Sequence, residues 1–175
     1  MRSSGSVLGA GRPSAYSMRF IRSMLAIPPD LEVSLPTLSG RTVTVIDSSV
    51  LVAYALREDG WEGVEGLLRE RPHSIELLPV EAANAVLMAL RKRRISEKEA
   101  EEALRIVHAL SETGFTLVSH LPLLLSAWEI AQQHEITVYV ASYLALARRE
   151  RTAIVSRDST QVRVARVLGL RVLEG

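Results

Sequence analysis

Apolar and polar positions along this chain switch between a two-residue and a 3.6-residue period, and the switches mark out its elements. Thr42-Val-Thr-Val-Ile46 is a β-branched run suited to a buried strand. Ser49–Leu56 reads as a helix, and so does Trp61–Arg69 after the Asp59-Gly60 break. Pro79 fits the first turn of a helix running to Arg94, Ser96 with Glu99 forms a capping-box signature for the next, and Gly114 can end it. The rhythm then becomes a strand over Phe115–Ser119, a helix from Pro122 to His134, a short strand over Thr137–Tyr139 and a helix over Ala141–Arg149. Thr152–Ser156 follows as an apolar strand, Ser159–Leu168 as a helix ended by Gly169, and Leu170–Leu173 as a last strand. Strands and helices in alternation predict an α/β fold, a parallel sheet with helices on both faces.

The first forty residues break this pattern. Residues 1–16 are rich in Ser, Gly, Arg and Ala without periodicity and read as a flexible tail or an over-extended start, since Met18 and Met24 follow. Residues 27–40 hold Pro28, Pro29, Pro36 and Gly40 and read as a linker. The expected organisation is therefore an extension over 1–40, flexible in part, and one domain over 41–175. With 47% hydrophobic residues in 175, that domain can bury a sizeable core.

Charge narrows the partners. The 21 basic and 20 acidic residues divide as four Arg against Asp30 and Glu32 in 1–40, leaving 17 basic and 18 acidic groups in the domain. So balanced a body has no broad basic footprint, and any RNA contact must use local patches. The absence of cysteine excludes disulfides, thiolate metal sites and thiol nucleophiles. The apolar stretch Leu121–Leu125 is soon followed by Glu129, Gln132, Gln133 and His134, so no membrane span is expected and the protein reads as soluble and cytoplasmic. His73, His108, His120 and His134 show no spacing for a shared metal.

Three acids carry candidate chemistry. In open parallel sheets, ligands gather beyond the carboxyl ends of strands. Asp47 directly follows the first strand, and Asp158 lies two residues beyond the Thr152–Ser156 strand. Glu81 sits in the first turn of the Pro79 helix, in a segment otherwise made of Ala, Val and Leu, with Asn84 one turn on. Each acid alone has an ordinary explanation as a turn, a cap or a favourable charge at a helix N-terminus. Together they could supply the oxygen ligands that a hard cation such as Mg²⁺ takes from different elements.

Four segments in order carry a resemblance: Val45-Ile-Asp-Ser-Ser-Val-Leu-Val52, Pro79-Val-Glu-Ala-Ala-Asn-Ala-Val86, Val138-Tyr-Val-Ala-Ser-Tyr-Leu-Ala-Leu-Ala147 and Val155-Ser-Arg-Asp158. This set resembles the successive motifs of the PIN-domain family from about Thr42 to Leu173. The resemblance implies a three-layer α/β/α sandwich with a central parallel sheet. It also implies a Mg²⁺- or Mn²⁺-dependent endoribonuclease site and frequent use as the toxin of VapBC-type toxin–antitoxin pairs. Carried over by position, Asp47, Glu81 and Asp158 match family acids that hold metal and serve catalysis, with Ser49, Asn84 and Ser156 in supporting places. The family's third acid falls at position 140, which here is Val140. A valine can neither coordinate nor offset cation charge, so the resemblance implies an RNA nuclease with an incomplete site, or an inactive module of this fold that binds RNA or protein.

Other residues refine the expected partners. Arg91-Lys-Arg-Arg94 ends a helix, where positive charge is favoured in any case, and Arg157 beside Asp158 is the better candidate for RNA contact. Trp128 reads as core and Trp61 as partly exposed. Val86, Leu87 and Leu90 on one helix, with Leu104, Val107 and Leu110 on the next, exceed what one seam needs and fit a homodimer; the resemblance adds an antitoxin protein as a partner.

Overall fold

The computed structural model describes residues 43–173, and the expected extension over 1–40 lies outside them. Five short parallel strands form one sheet in the order β3-β2-β1-β4-β5. They are β1 (Thr44–Ile46), β2 (His73–Ile75), β3 (Thr116–Val118), β4 (Ala153–Val155) and β5 (Val172–Leu173). The helices are α1 (Ser48–Leu56), α2 (Trp61–Arg69), α3 (Leu78–Arg91), α4 (Glu97–Thr113), α5 (Leu124–His134), α6 (Val138–Glu150) and α7 (Ser159–Val167). Together they make the three-layer α/β/α arrangement that the alternating pattern predicts.

β1 and β4 are buried apolar strands, as expected of the interior of a parallel sheet covered on both faces. They pair with Ile46 opposite Val155, so the residues that leave the two strands, Asp47 and Ser156, emerge side by side. The order reverses at β1, which has β2 on one side and β4 on the other. Such a switch point opens a crevice at the carboxyl ends of the strands.

α6 packs on β1, β2 and β4 and against α5 and α7. Its residues Ala141 through Ala147 are all buried, which explains why this helix is apolar around its whole circumference. Alanines at 141, 145 and 147 let its neighbours approach closely. α3 packs on α4 and α1, and α4 also packs on α1. Gly169, at φ +71°, supplies the left-handed residue that stops α7.

Two expectations are corrected. Thr137–Tyr139 is not a strand: Thr137 is the N-cap of α6, its hydroxyl oxygen accepting the Val140 N–H at 3.3 Å, and Val138 and Tyr139 lie in the first turn. The β-branched run hid a capping threonine. Trp128 is not core, being 59% exposed, because α5 turns Ala127, Ile130 and Ala131 inward instead. β2, which sequence periodicity did not reveal, fills the place between β1 and β3. Its Ser74 is fully buried and donates to the Ile46 carbonyl at 2.8 Å, stitching β2 to the end of β1. Among the described residues no helix is long and apolar enough to cross a membrane.

The capping box expected at Ser96 is present: the Ser96 hydroxyl accepts the Glu99 N–H at 3.3 Å, and the Ser96 N–H donates to Glu99 Oε2 at 2.7 Å. Ser96→Ala is expected to cost about 1 kcal/mol of unfolding free energy, measured by urea denaturation. No change in the transition midpoint counts against the box as a stabilising device.

Candidate active site

Asp47 is the N-cap of α1 and is only 4% exposed. Its Oδ1 accepts from the Ser49 N–H at 3.1 Å, the Ser49 hydroxyl at 2.6 Å and the Val50 N–H at 3.3 Å. Oδ2 accepts from the Ser156 hydroxyl at 2.6 Å, the contact that the β1–β4 register sets up. Burial pushes the Asp47 carboxyl above the usual range, and the negative charge of Asp158 pushes the same way. The hydrogen bonds from Ser156, Ser49 and the Val50 N–H oppose that rise.

Asp158 caps α7 in the same manner, its Oδ1 accepting the Thr160 N–H at 2.7 Å and the Gln161 N–H at 3.0 Å. Its own N–H donates to the Ser156 hydroxyl oxygen at 3.0 Å, so one serine joins both aspartates. Both acids are thus helix caps, and both also face the crevice.

Glu81 is different. It lies in the first turn of α3, and its Oε2 accepts from the Tyr143 hydroxyl at 2.7 Å. Its Oε1 is buried and has no hydrogen-bond partner. Burial, and then the charge of Glu81, hold the Tyr143 phenol well above its ordinary pKa, so it remains a donor throughout the working range.

These groups meet in a cleft of about 510 Å³. Asp47, Glu81, Asp158, Ser49 and Asn84 all line it, while Ser156 stands behind Asp47. Val140 lines it too, and its carbonyl accepts from the Gln161 side-chain amide at 3.0 Å. Arg157 does not line the cleft. Its N–H donates to the Ser49 hydroxyl oxygen at 2.8 Å, and its guanidinium to the Asp59 carbonyl at 2.8 Å. Among the described residues, no three His, Cys, Asp or Glu side chains are grouped closely enough to hold a metal ion between them.

Sequence reasoning missed two site residues. Tyr143 is 62 positions from the glutamate it holds, and nothing local announces the pair. Gln161 did carry a signal, because an Asp with a Gln three residues on has the spacing of a capping box. Here, however, the amide reaches across to α6.

The fold, with its crevice at the switch point, has counterparts among known proteins. The PIN domain model matches residues 44–167, and the chain belongs to the PIN domain family. It is similar to ribonuclease VapC3 of Pyrobaculum aerophilum, 28% identical over 107 residues that cover 60% of this chain and 81% of that protein. The crystal structure of PAE2754, also from Pyrobaculum aerophilum, shares the fold, with a TM-score of 0.56 at 23% identity over 75% of this chain and 90% of the other.

Proposed function

We propose that this chain is a divalent-cation-dependent endoribonuclease, the toxin member of a toxin–antitoxin pair, working through an acidic site of reduced strength. The observation that carries this reading is the unpartnered, buried Oε1 of Glu81 in a cleft shared with two more carboxylates. A buried carboxylate oxygen without a donor is costly, and a cation facing it removes that cost. Carboxylate oxygens are the donors that suit Mg²⁺ or Mn²⁺, and with no three of these acids grouped closely enough to enclose an ion, the ion proposed here would keep most of its water. Asp47, Glu81 and Asp158 are the residues that would hold it. Bound there, such an ion supplies Lewis acidity toward an RNA phosphate and lowers the pKa of water.

The chain's own groups supply the positioning. Ser49 and Ser156 clamp the Asp47 carboxylate, Tyr143 fixes one Glu81 oxygen, and the α7 cap holds Asp158. Asn84 adds a polar group one turn beyond Glu81. Val140 adds neither ligand nor charge, and that supports a weak rather than a fully equipped site. The same valine favours a second reading, a silent domain of this family that binds RNA or protein.

Similarity to ribonuclease VapC3 supports RNA as the substrate and an antitoxin as partner, and the cytoplasm is the proposed place of work. Arg157, exposed beside Asp158, is the proposed RNA contact. Leu121, Leu125 and Trp128 are exposed apolar side chains that support a homodimer, as do Leu87 and Leu104 on α3 and α4, although Val86 and Val107 there are buried.

Cleavage of a mixed set of structured and single-stranded RNAs in Mg²⁺ and in Mn²⁺ tests the reading. The parent is expected to cleave with either ion and to stop in EDTA, and Glu81→Gln to lose at least about tenfold in rate, since Gln keeps the shape and loses the charge. Cleavage that survives EDTA, or that Glu81→Gln leaves untouched, overturns the cation-dependent site. A parent that binds RNA without cutting it selects the second reading.

A further inference from the structure

We propose, building on the RNA reading of the cleft, that Tyr139 and Val80 form a seat for one unpaired base beside the acids. Tyr139 is the second residue of α6 and is 61% exposed; Val80 is the third residue of α3 and is 69% exposed. Both line the cleft. Each is the chain neighbour of a residue of the site itself, Tyr139 of Val140 and Val80 of Glu81. A step of one residue turns a helical side chain by about 100°, so a neighbour of a residue facing the acids comes to the rim.

The fold makes little use of either side chain, since both remain largely in solvent. A β-branched valine on an exposed helical surface has lower helix propensity than alanine, and it brings no packing in return. What the pair does supply is an uncharged, partly aromatic rim on a cleft whose acidic and basic lining groups are all carboxylates. Those carboxylates repel the phosphates of RNA until a cation intervenes, but they do not repel the neutral face of a base. Tyrosine rings are common platforms for bases that have left a stack, and duplex bases cannot reach such a platform.

The platform is also rigidly mounted. The Thr137 cap closes the first turn of α6 from one side, and the Gln161 amide grips the Val140 carbonyl from another. With the backbone that carries it fixed before the base arrives, the ring has only its own side-chain rotation to lose on binding.

The test follows the anisotropy of a short fluorescein-labelled single-stranded RNA added to the full chain in Ca²⁺ buffer, using the parent, Tyr139→Ala and Tyr139→Phe, with sedimentation of the same samples. The expected result is that Tyr139→Ala weakens binding by about fivefold to a hundredfold while Tyr139→Phe binds as the parent does. Placing one abasic nucleotide in the RNA at the seated position should weaken the parent and leave Tyr139→Ala unchanged. Equal affinity of parent and Tyr139→Ala overturns the seat, as does a loss in Tyr139→Phe equal to that in Tyr139→Ala, which would assign the effect to the hydroxyl. A fall in sedimenting mass for Tyr139→Ala with RNA affinity intact overturns it by assigning the ring to a contact between copies. If the parent binds no RNA at all, the RNA reading itself fails, and the seat with it.

Discussion

Val140→Asp is expected to raise Mn²⁺-dependent RNA cleavage at least about tenfold over the parent, the scale on which single supporting groups around metal sites act. The position is receptive. Val140 is the third residue of α6 and lines the cleft, and the first turn of that helix holds no acidic residue. An aspartate there meets the positive end of the helix and follows a threonine N-cap, both favourable to a carboxylate. It also adds a fourth negative charge to a cleft that already holds three, so the metal-free variant should melt below the parent and gain more from added Mn²⁺. Val140→Asn, of the same shape without the charge, should behave as the parent. Initial cleavage rates at limiting Mn²⁺, with melting curves of all three proteins in Mn²⁺ and in EDTA, check this. A folded Val140→Asp that cuts no faster at any Mn²⁺ concentration would remove the claim that position 140 limits the site.

The contrast between Val140 and Glu81 illustrates what could be read from the chain and what could not. Asp47 and Asp158 were legible because they follow apolar strands, and a parallel sheet delivers every strand end to the same edge. The switch point was not legible, because it depends on β2 lying beside β1. β2 is three residues long, begins at His73 and contains a buried serine. Its stability comes from its neighbours: Ser74 hydrogen-bonds to β1, and the backbone ladder runs to β3, so its own composition carries no strand signal. The misread Thr137–Tyr139 shows the converse, since a threonine with strand propensity is also a good cap, and the tertiary place of α6 decides between them. At Glu81 the sequence pointed to an acid in apolar company. Only the fold reveals that Tyr143 donates to one oxygen while the other, buried, has no hydrogen-bond partner among the described residues.

Asp47→Asn should abolish cleavage, with a loss on the order of a hundredfold or more, while leaving the metal-free protein as stable as the parent or more so at neutral pH. Under the proposed cation-dependent reading, the loss follows from removing a charged ligand whose cation would stabilise transition-state charge by several kcal/mol, each ~1.4 kcal/mol being tenfold in rate. The stability argument runs through the hydrogen bonds. Asparagine caps a helix as well as aspartate does, so the Oδ1 contacts to the N–H groups of Ser49 and Val50 can persist. At Oδ2 the Ser156 hydroxyl must turn to face an amide N–H, a cost of about 1 kcal/mol. Against this stands the burial of a charge, which already lifts the Asp47 pKa in the folded state. A carboxyl whose folded pKa is raised penalises the fold fully above that pKa. The penalty shrinks as pH falls through it and is gone below the unfolded value of 3.8. The melting advantage of Asp47→Asn over the parent in EDTA should therefore be largest at neutral pH and narrow steadily on acidification. Melting curves from about pH 8 to about pH 5 measure the trend. An advantage that widens on acidification would mean that the ionised carboxylate stabilises the fold. Asp47 would then be a structural cap, with its place in the cleft incidental.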